Sequence, residues 1–354
     1  MSINKEKLHR RQEAILSFIE EKGSVSVGQI VAHIGEMLEI VTRMTILRDL
    51  ETMMEMNLIE RQGTAGRAVV YRLSARYPMI KNIDVERYFS VDADQRKIKE
   101  QFNFDVFSHM NTICTDEEKN KLIKLNTLYR EKMKNIAPDA LRKEIERLTI
   151  DFSWKSSKIE GNTYSLLETE HLIKNGGEAI GHTKEEAIMI LNHKKALDYI
   201  TENKEQFQTI SVSQIENIHS LLVDGLNVTK NVRKTLVGIT GTKYRPLDNE
   251  FQIREVLEKA CKTVNETENI FEKAIILMVL IAYIQPFVDG NKRTSRLAGN
   301  AILQSFDFCP LSYRSMDEVE YKKAIVLFYE QNNFSYFKEL FLKQCEFAVE
   351  NYFG

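Results

Sequence analysis

The residues best equipped for chemistry sit in one string, residues 282–300, AYIQPFVDGNKRTSRLAGN. Asp289, Gly290 and Asn291 form a turn cluster, and Arg293 and Arg296 follow at the predicted start of a helix. A glycine-containing turn that opens into a helix offers free backbone N–H groups and the positive end of the helix dipole, which suits phosphate. Arg293 and Arg296 are spaced i, i+3, so their two guanidinium forks are expected to converge on one anion. Asp289 is the nearby carboxylate, and beside phosphates its natural role is to hold Mg2+. With Gly290, Asn291 and Lys292, the string reads as a triphosphate cradle. Taken alone, a DGNxR turn reads first as a helix cap with solvated arginines, so the phosphate reading rests on the whole string.

The elements on either side have to position this cradle. The apolar run at 274–284 predicts a buried helix; at about 11 residues it is too short to span a bilayer, which takes roughly 20. Pro286 ends that helix, because proline biases the residue before it away from helical geometry. Helices are further expected at about 116–135, 139–158, 184–203 and 211–223, with two more in 313–350. Residues 232–244 alternate like a short hairpin.

Composition bounds the rest. A chain of 354 residues can hold two domains, each with its own core. The formal net charge of −2 argues against wholesale coating of nucleic acid and permits a local basic surface. Cys114, Cys261, Cys309 and Cys345 have neither CxxC pairing nor zinc spacing and read as reduced, buried thiols of a cytoplasmic protein. The leading MSINKEKLHRRQ lacks the apolar core of a signal peptide, and no segment is expected to cross a membrane. Glycine and proline are sparse, so the expected class is mainly α.

Residues 1–75 are expected to form a small α+β domain. Three apolar stripes (Ile15, Phe18, Ile19; Val27, Ile30, Val31, Ile34; Met44, Leu47, Leu50, Met53, Met54) precede two strand-like runs at 58–61 and 68–73, joined by QGTAGR. Residues 76–115, with Pro78 and clustered aromatics, read as an extended connector packed on a core. Residues 116–354 form the second domain.

Two resemblances organise these readings. The first segment resembles a winged helix-turn-helix of the bacterial regulator type, carried by TRMTILRDLETMMEMNLIERQG…YRL. That resemblance implies DNA as a partner, with Thr42, Arg43, Thr45 and Arg48 on the recognition helix and Arg67 at the wing. Here Lys and Arg roughly balance Asp and Glu, GEMLEI lengthens the turn before the recognition helix, and a winged helix also serves protein contacts or a homodimer. The second string resembles the Fic family motif, H-x-F-x-[D/E]-G-N-[G/K]-R-x-x-R, at Phe287, Asp289, Gly290, Asn291, Lys292, Arg293 and Arg296, with Gln285 in place of the histidine. It implies a helical Fic core with a β-hairpin flap, here Val237, Gly238, Ile239, Thr240 and Gly241, which holds a target-protein segment as an added strand.

Further upstream, SWKSSKIEGN places Ser156, Glu160 and Gly161 where the family carries an inhibitory motif, on a helix at about 139–161. By itself SxxxEG is an ordinary helix end with a glycine cap. The resemblance implies that Glu160 pairs with Arg296, a guanidinium that would otherwise grip phosphate. It also implies transfer of AMP from Mg·ATP to a protein hydroxyl, with the motif histidine as general base. An amide such as Gln285 takes no proton at ordinary pH, and loss of a general base costs about 10²–10⁴-fold. No histidine follows His219, so only a distant one such as His193 or His219 is available. Three readings stand: a slow, autoinhibited adenylyltransferase; a catalytically dead Fic module that makes a DNA-binding regulator respond to ATP; and a scaffold in which the Fic core only assembles. An intact cradle without a base argues for binding without turnover.

Overall fold

A computed structural model describes residues 8–38, 40–63, 69–110 and 113–353. The chain divides into two compact units, Met1–Lys81 with Thr115–Glu117, and Asn82–Cys114 with Glu118–Gly354.

The first unit runs α1 (Arg10–Lys22), β1 (Val25–Ser26), α2 (Val27–Met37), α3 (Arg43–Glu55), β2 (Ile59–Gln62), β3 (Val70–Leu73) and α4 (Tyr77–Ile80). The strands form an antiparallel sheet in the order β1-β3-β2, with Ile59 opposite Leu73 and Val25 opposite Tyr71. The two expected strands form at 59–62 and 70–73; β1 is an addition, two residues long and so too short to show alternation. Ser26 ends it and caps α2, accepting from the Gln29 amide while Gln29 reaches back to the Ser26 amide. The core is Ile15, Ile19, Ile30, Ile34, Ile46, Leu50, Met53 and Tyr71.

Two expectations about this unit change. Met44 belongs to the solvent and not to the core, because the buried stripe of α3 is Ile46, Leu50 and Met53, and Met44 lies across the helix from it. The unit also extends past residue 75 to Lys81, because Tyr77 and Ile80 pack on its core and Arg76 Nη1 donates to the Met56 carbonyl. Arg67, expected at the wing, lies outside the described residues, as does Ala68.

The second unit begins with the connector, α5 (Val85–Phe89) and a 3-10 turn (Phe104–His109). Then come α6 (Asp116–Asn135), α7 (Pro138–Ile159), α8 (Leu166–Asn175), α9 (Lys184–Glu202), a second 3-10 turn (Lys204–Gln208) and α10 (Val212–Leu222). The remainder is α11 (Glu250–Glu266), α12 (Ile270–Ile284), α13 (Asn291–Ser305), α14 (Glu318–Gln331) and α15 (Ser335–Asn351). The expected helices all form; α5, in the connector expected to be extended, α8 and α11 are additional, although Asn249 ahead of α11 is a proper N-cap, accepting from the Phe251 and Gln252 amides. No helix among the described residues is long and apolar enough to cross a membrane.

The unit is built around α12. Beyond Glu272 and Lys273 in its first turn it is apolar on every face, and it is buried from Phe271 to Ile284. Asn269 caps its start through the Phe271 and Glu272 amides, so the helix begins four residues before the apolar run does. α13 packs so closely on it that a Cβ at Gly299 would lie 2.5 Å from Met278 Sδ. Pro138 opens α7, whose far end carries Ser156 and ends at Glu160 against α13.

Residues 232–244 depart from the expected hairpin. The chain goes out and turns at Thr240–Gly241, but no backbone ladder joins the two arms. Their anchoring is by side chains instead. The buried Arg233 guanidinium donates to the carbonyls of Gln285, Thr235 and Leu247, and Tyr244 Oη donates to the Tyr283 carbonyl.

Candidate nucleotide site at the start of α13

α12 ends on Gln285, which takes the left-handed conformation at φ 51°. A non-glycine residue there is strained and needs its surroundings to hold it. Its amide nitrogen donates to the Ile281 carbonyl (3.1 Å), and its carbonyl accepts from Arg233 Nε (2.6 Å). The side chain is equally committed: Nε2 donates to the Ala282 carbonyl (2.6 Å) and to Tyr329 Oη (3.1 Å), while Oε1 accepts from Asn291 Nδ2 (2.9 Å). Asn291 in turn accepts from the Phe287 amide (2.9 Å) and donates to the Phe287 carbonyl (2.8 Å). Gln285 and Asn291 therefore lock the loop from inside, and Asn291 has no face left for a phosphate.

Gly290 opens α13 at φ 83°, a conformation that side chains rarely adopt, and a Cβ there would meet His219 at 3.4 Å. No side chain caps α13, so its leading amides have no partner in the helix and point at whatever lies before it. Gly290 thus opens the helix through the expected glycine turn, with no side chain covering the first amides.

The arginines do not converge on one partner. Arg293 Nη2 turns back to Asp289 Oδ2 (2.6 Å), and its buried Nη1 is left without a hydrogen-bond partner. Arg296 is fully buried and points to α7: Nε donates to Ser156 Oγ (2.9 Å), Nη2 to the Ser156 carbonyl (2.9 Å), and both Nη1 and Nη2 to Glu160 Oε1 (3.0 Å each). The Tyr321 ring lies 5.1 Å from its guanidinium carbon. Lys292 Nζ reaches Glu160 Oε2 at 2.9 Å. Burial pushes the Glu160 carboxyl up, but Arg296 and then Lys292 outweigh it and bring its pKa down to about 2. Gly161 follows at φ 102°, which lets the chain leave α7 immediately after the carboxylate. Three cations thus face two carboxylates, which leaves one positive charge and the free amides of α13 to meet an anion.

Asp289 keeps one carboxylate oxygen free and is 61% exposed. Among the described residues no group of three or more His, Cys, Asp or Glu is placed to hold a metal. A single open carboxylate fits Mg2+ of the kind bound mainly through substrate phosphates.

Neither distant histidine can act as a base here. His219 is stacked on Phe287 (centroids 3.6 Å, 4° between planes), with Nε2 3.0 Å from the Asp289 carbonyl oxygen and Nδ1 3.3 Å from that of Lys230. Burial, opposed by those carbonyls, holds its pKa down at about 4. His193 lies under α7, with Nδ1 2.8 Å from the Met189 carbonyl oxygen and 3.2 Å from Ser157 Oγ. Burial, helped by the charge of Arg293, takes its pKa to about 3. His219 is a spacer that fixes the loop.

Sequence reasoning missed Arg233 and Tyr329, which hold Gln285 from elements with no local signature. It also missed the pairing of Lys292 with Glu160, for which the signal existed, since Lys292 and Arg296 are i, i+4 neighbours on one face. Of the flap residues, Gly238, Thr240 and Gly241 are exposed and Val237 and Ile239 are half-buried. In the first unit, Thr42 is the N-cap of α3, accepting from the Thr45 amide (3.2 Å), and its hydroxyl pairs with that of Thr45 (2.9 Å). Arg43 and Arg48 are exposed on the same helix.

Comparisons with known proteins agree with both halves. Residues 209–303 match the Fic/DOC family model, and residues 11–71 match that of the DeoR-like helix-turn-helix domain. The protein adenylyltransferase Fic of Nematostella vectensis is 27% identical over 185 residues, 51% of this chain and 43% of that protein. The protein adenylyltransferase fic-1 of Caenorhabditis elegans is 22% identical over 220 residues, 61% of this chain and again 43% of its own length. The match thus spans less than half the length of these curated relatives. The solved structure of residues 134–508 of C. elegans Fic-1 superposes with a TM-score of 0.59 at 22% identity, covering 67% of this chain and 72% of that one. A Fic family protein from Desulfovibrio desulfuricans gives 0.56 at 20%, covering 67% and 74%. The two structural likenesses are of fold. The chain thus carries a match to the Fic/DOC family over residues 209–303 and a match to the DeoR-like helix-turn-helix domain over residues 11–71.

Proposed function

We propose that the second unit binds a nucleoside triphosphate, ATP being the candidate, at the start of α13, and that Glu160 holds the site in a restrained state in which transfer of AMP to a protein hydroxyl is slow or absent. The observation that carries this reading is the Glu160 carboxylate seated on Arg296 and Lys292 together. Those cations are the natural grips for a terminal phosphate. The free α13 amides and Arg293 Nη1 remain to receive the rest of a phosphate chain, and Asp289 supplies the open carboxylate for Mg2+. When bound, Mg2+ would neutralise phosphate oxygens and orient them. In the flap loop at 237–241 the backbone groups other than the Gly241 carbonyl, which accepts from Arg96, make no hydrogen bond among the described residues, which suits an extended target segment. Gln285 has no capacity to accept a proton, and its amide is already occupied on both sides, so the hydroxyl of a target would keep its proton. The names of the relatives supply the reaction class.

The first unit adds a second strand to this reading. Arg43 and Arg48 are exposed near the start of α3 and carry no carboxylate partner among the described residues, which suits contact with DNA in the cytoplasm. The whole protein is then a DNA-binding regulator that senses ATP.

Titration calorimetry of the full chain with Mg·ATP tests this. Binding is expected for the wild type, at least about tenfold tighter for Glu160→Gly, with that gain lost when Arg296→Ala is added. No heat from either wild type or Glu160→Gly removes the reading.

A further inference from the structure

Residues 94–103 of the connector lie within the second unit, alongside the returning arm of the 232–244 loop and the residue that follows it. The Arg245 amide donates to the Glu100 carbonyl (2.7 Å), Gln101 and Arg245 form a single parallel bridge, and Lys243 Nζ donates to the Asp94 carbonyl (3.1 Å). Arg96 stands at the centre of this seam, almost fully buried. Nε and Nη2 fork onto the two oxygens of Glu330 on α14 (2.9 Å each), Nη1 donates to the Val91 carbonyl (3.2 Å), and Nη2 also donates to the carbonyl of Gly241 (2.6 Å). The last bond is unusual in its position. From Leu236 to Gly241, the whole tip of the loop, it is the one hydrogen bond recorded among the described residues. Glu330 follows Tyr329, whose hydroxyl receives Gln285 Nε2. One guanidinium therefore joins the connector, the loop tip and the helix that supports the nucleotide loop.

The fork on Glu330 uses two of the five N–H donors of this buried guanidinium, and the carbonyls of Val91 and Gly241 take two more, so the loop tip is held by a donor that has no other partner. We infer that Arg96 is a positioning residue that straps the connector to the Thr240–Gly241 turn, so that the loop beside the nucleotide site and the tether of the helix-turn-helix unit move as one body. This rests on the function proposed above, to which it adds a strap within the second unit between the connector and the loop beside the site. Its test needs no nucleotide, so its failure is distinct from a failure to bind ATP.

All four native cysteines are buried, which lets a single exposed cysteine be labelled selectively. Nitroxide labels are placed at Gly238→Cys on the loop, Gln95→Cys on the connector and Lys262→Cys on α11 in three separate full-length proteins. Each is read by electron spin resonance with Arg96, Arg96→Lys and Arg96→Ala. Lysine keeps a charge opposite Glu330 but cannot fork to Gly241, so it serves where the alanine variant does not fold. The expected result is faster motion, by about threefold or more in correlation time, at both 238 and 95, with 262 unchanged. An unchanged label at 238, motion at 238 without motion at 95, or equal loosening at all three sites overturns the inference.

Discussion

Glu160 meets Arg296 end-on. Both terminal guanidinium nitrogens lie 3.0 Å from the single oxygen Oε1, and the other oxygen is left for Lys292 at 2.9 Å. A side-on fork would have used both carboxylate oxygens on one arginine. The end-on approach lets one acid neutralise two bases on one face of α13, so displacing one carboxylate would free two grips for phosphate.

Removing that carboxylate has a cost that an anion should repay. Arg296 is fully buried, and with Glu160→Gln its charge loses its one carboxylate and keeps only neutral partners, Ser156, the Tyr321 ring and an amide oxygen. Stability should fall by about 3 kcal/mol, the usual penalty for breaking a buried pair. Thermal melts should show the loss, and added Mg·ATP should recover more stability in the variant than in the wild type.

Restoring a histidine at 285 should trade stability for reactivity. Gln285→His loses the contacts to Asn291 Nδ2 and the Ala282 carbonyl, at a cost of about 1–3 kcal/mol. Combined with Glu160→Gly, it should raise incorporation of labelled AMP into the protein or a lysate by about 10²-fold over Glu160→Gly alone. Silence from the double variant would mean that the loop geometry fixed by Arg233 and Tyr329 no longer permits transfer.

Acid should weaken the second unit in two stages. His193 and His219 are buried and neutral, with pKa values of about 3 and about 4 against an ordinary 6.5. Between those values and 6.5 the unfolded chain binds more protons than the folded one, so stability declines as pH falls below 6.5, by about 2 kcal/mol per histidine at pH 5. Glu160 is held at about 2 against 4.5, so its contribution is complete above pH 4.5 and fades only below it. Melting temperature should be level from pH 8 to 7, decline below 6.5 and steepen below 4.5; His219→Asn should flatten the upper slope.

DNA contacts should separate from helix capping. Arg43→Ala and Arg48→Ala should each reduce retention on DNA and lower the salt slope by about one unit, with the melting temperature unchanged. Thr42→Ala should instead lower the stability of the first unit by about 1 kcal/mol, because its hydroxyl caps α3. Retention unaffected by both arginine changes would place any DNA contact elsewhere.

What the amino-acid string determined by itself was local. The αL glycine ahead of α13, the apolar identity of α12, the i, i+4 spacing of Lys292 and Arg296 and the stripes of the helix-turn-helix all follow from side-chain type and helical period. The replacement of a basic imidazole by the Gln285 amide is likewise a matter of chemistry at one position. The tertiary structure decided which partner each charge takes. Arg293 and Arg296 are neighbours in sequence, yet one closes on Asp289 and the other on Glu160, because α7 brings its carboxylate to only one of them. Arg96, Arg233 and Tyr329 gain their roles in the same way, from segments scores of residues apart in the chain. Periodicity constrains neighbours within a few turns, while the pairing of buried charges depends on which distant elements the apolar core draws together.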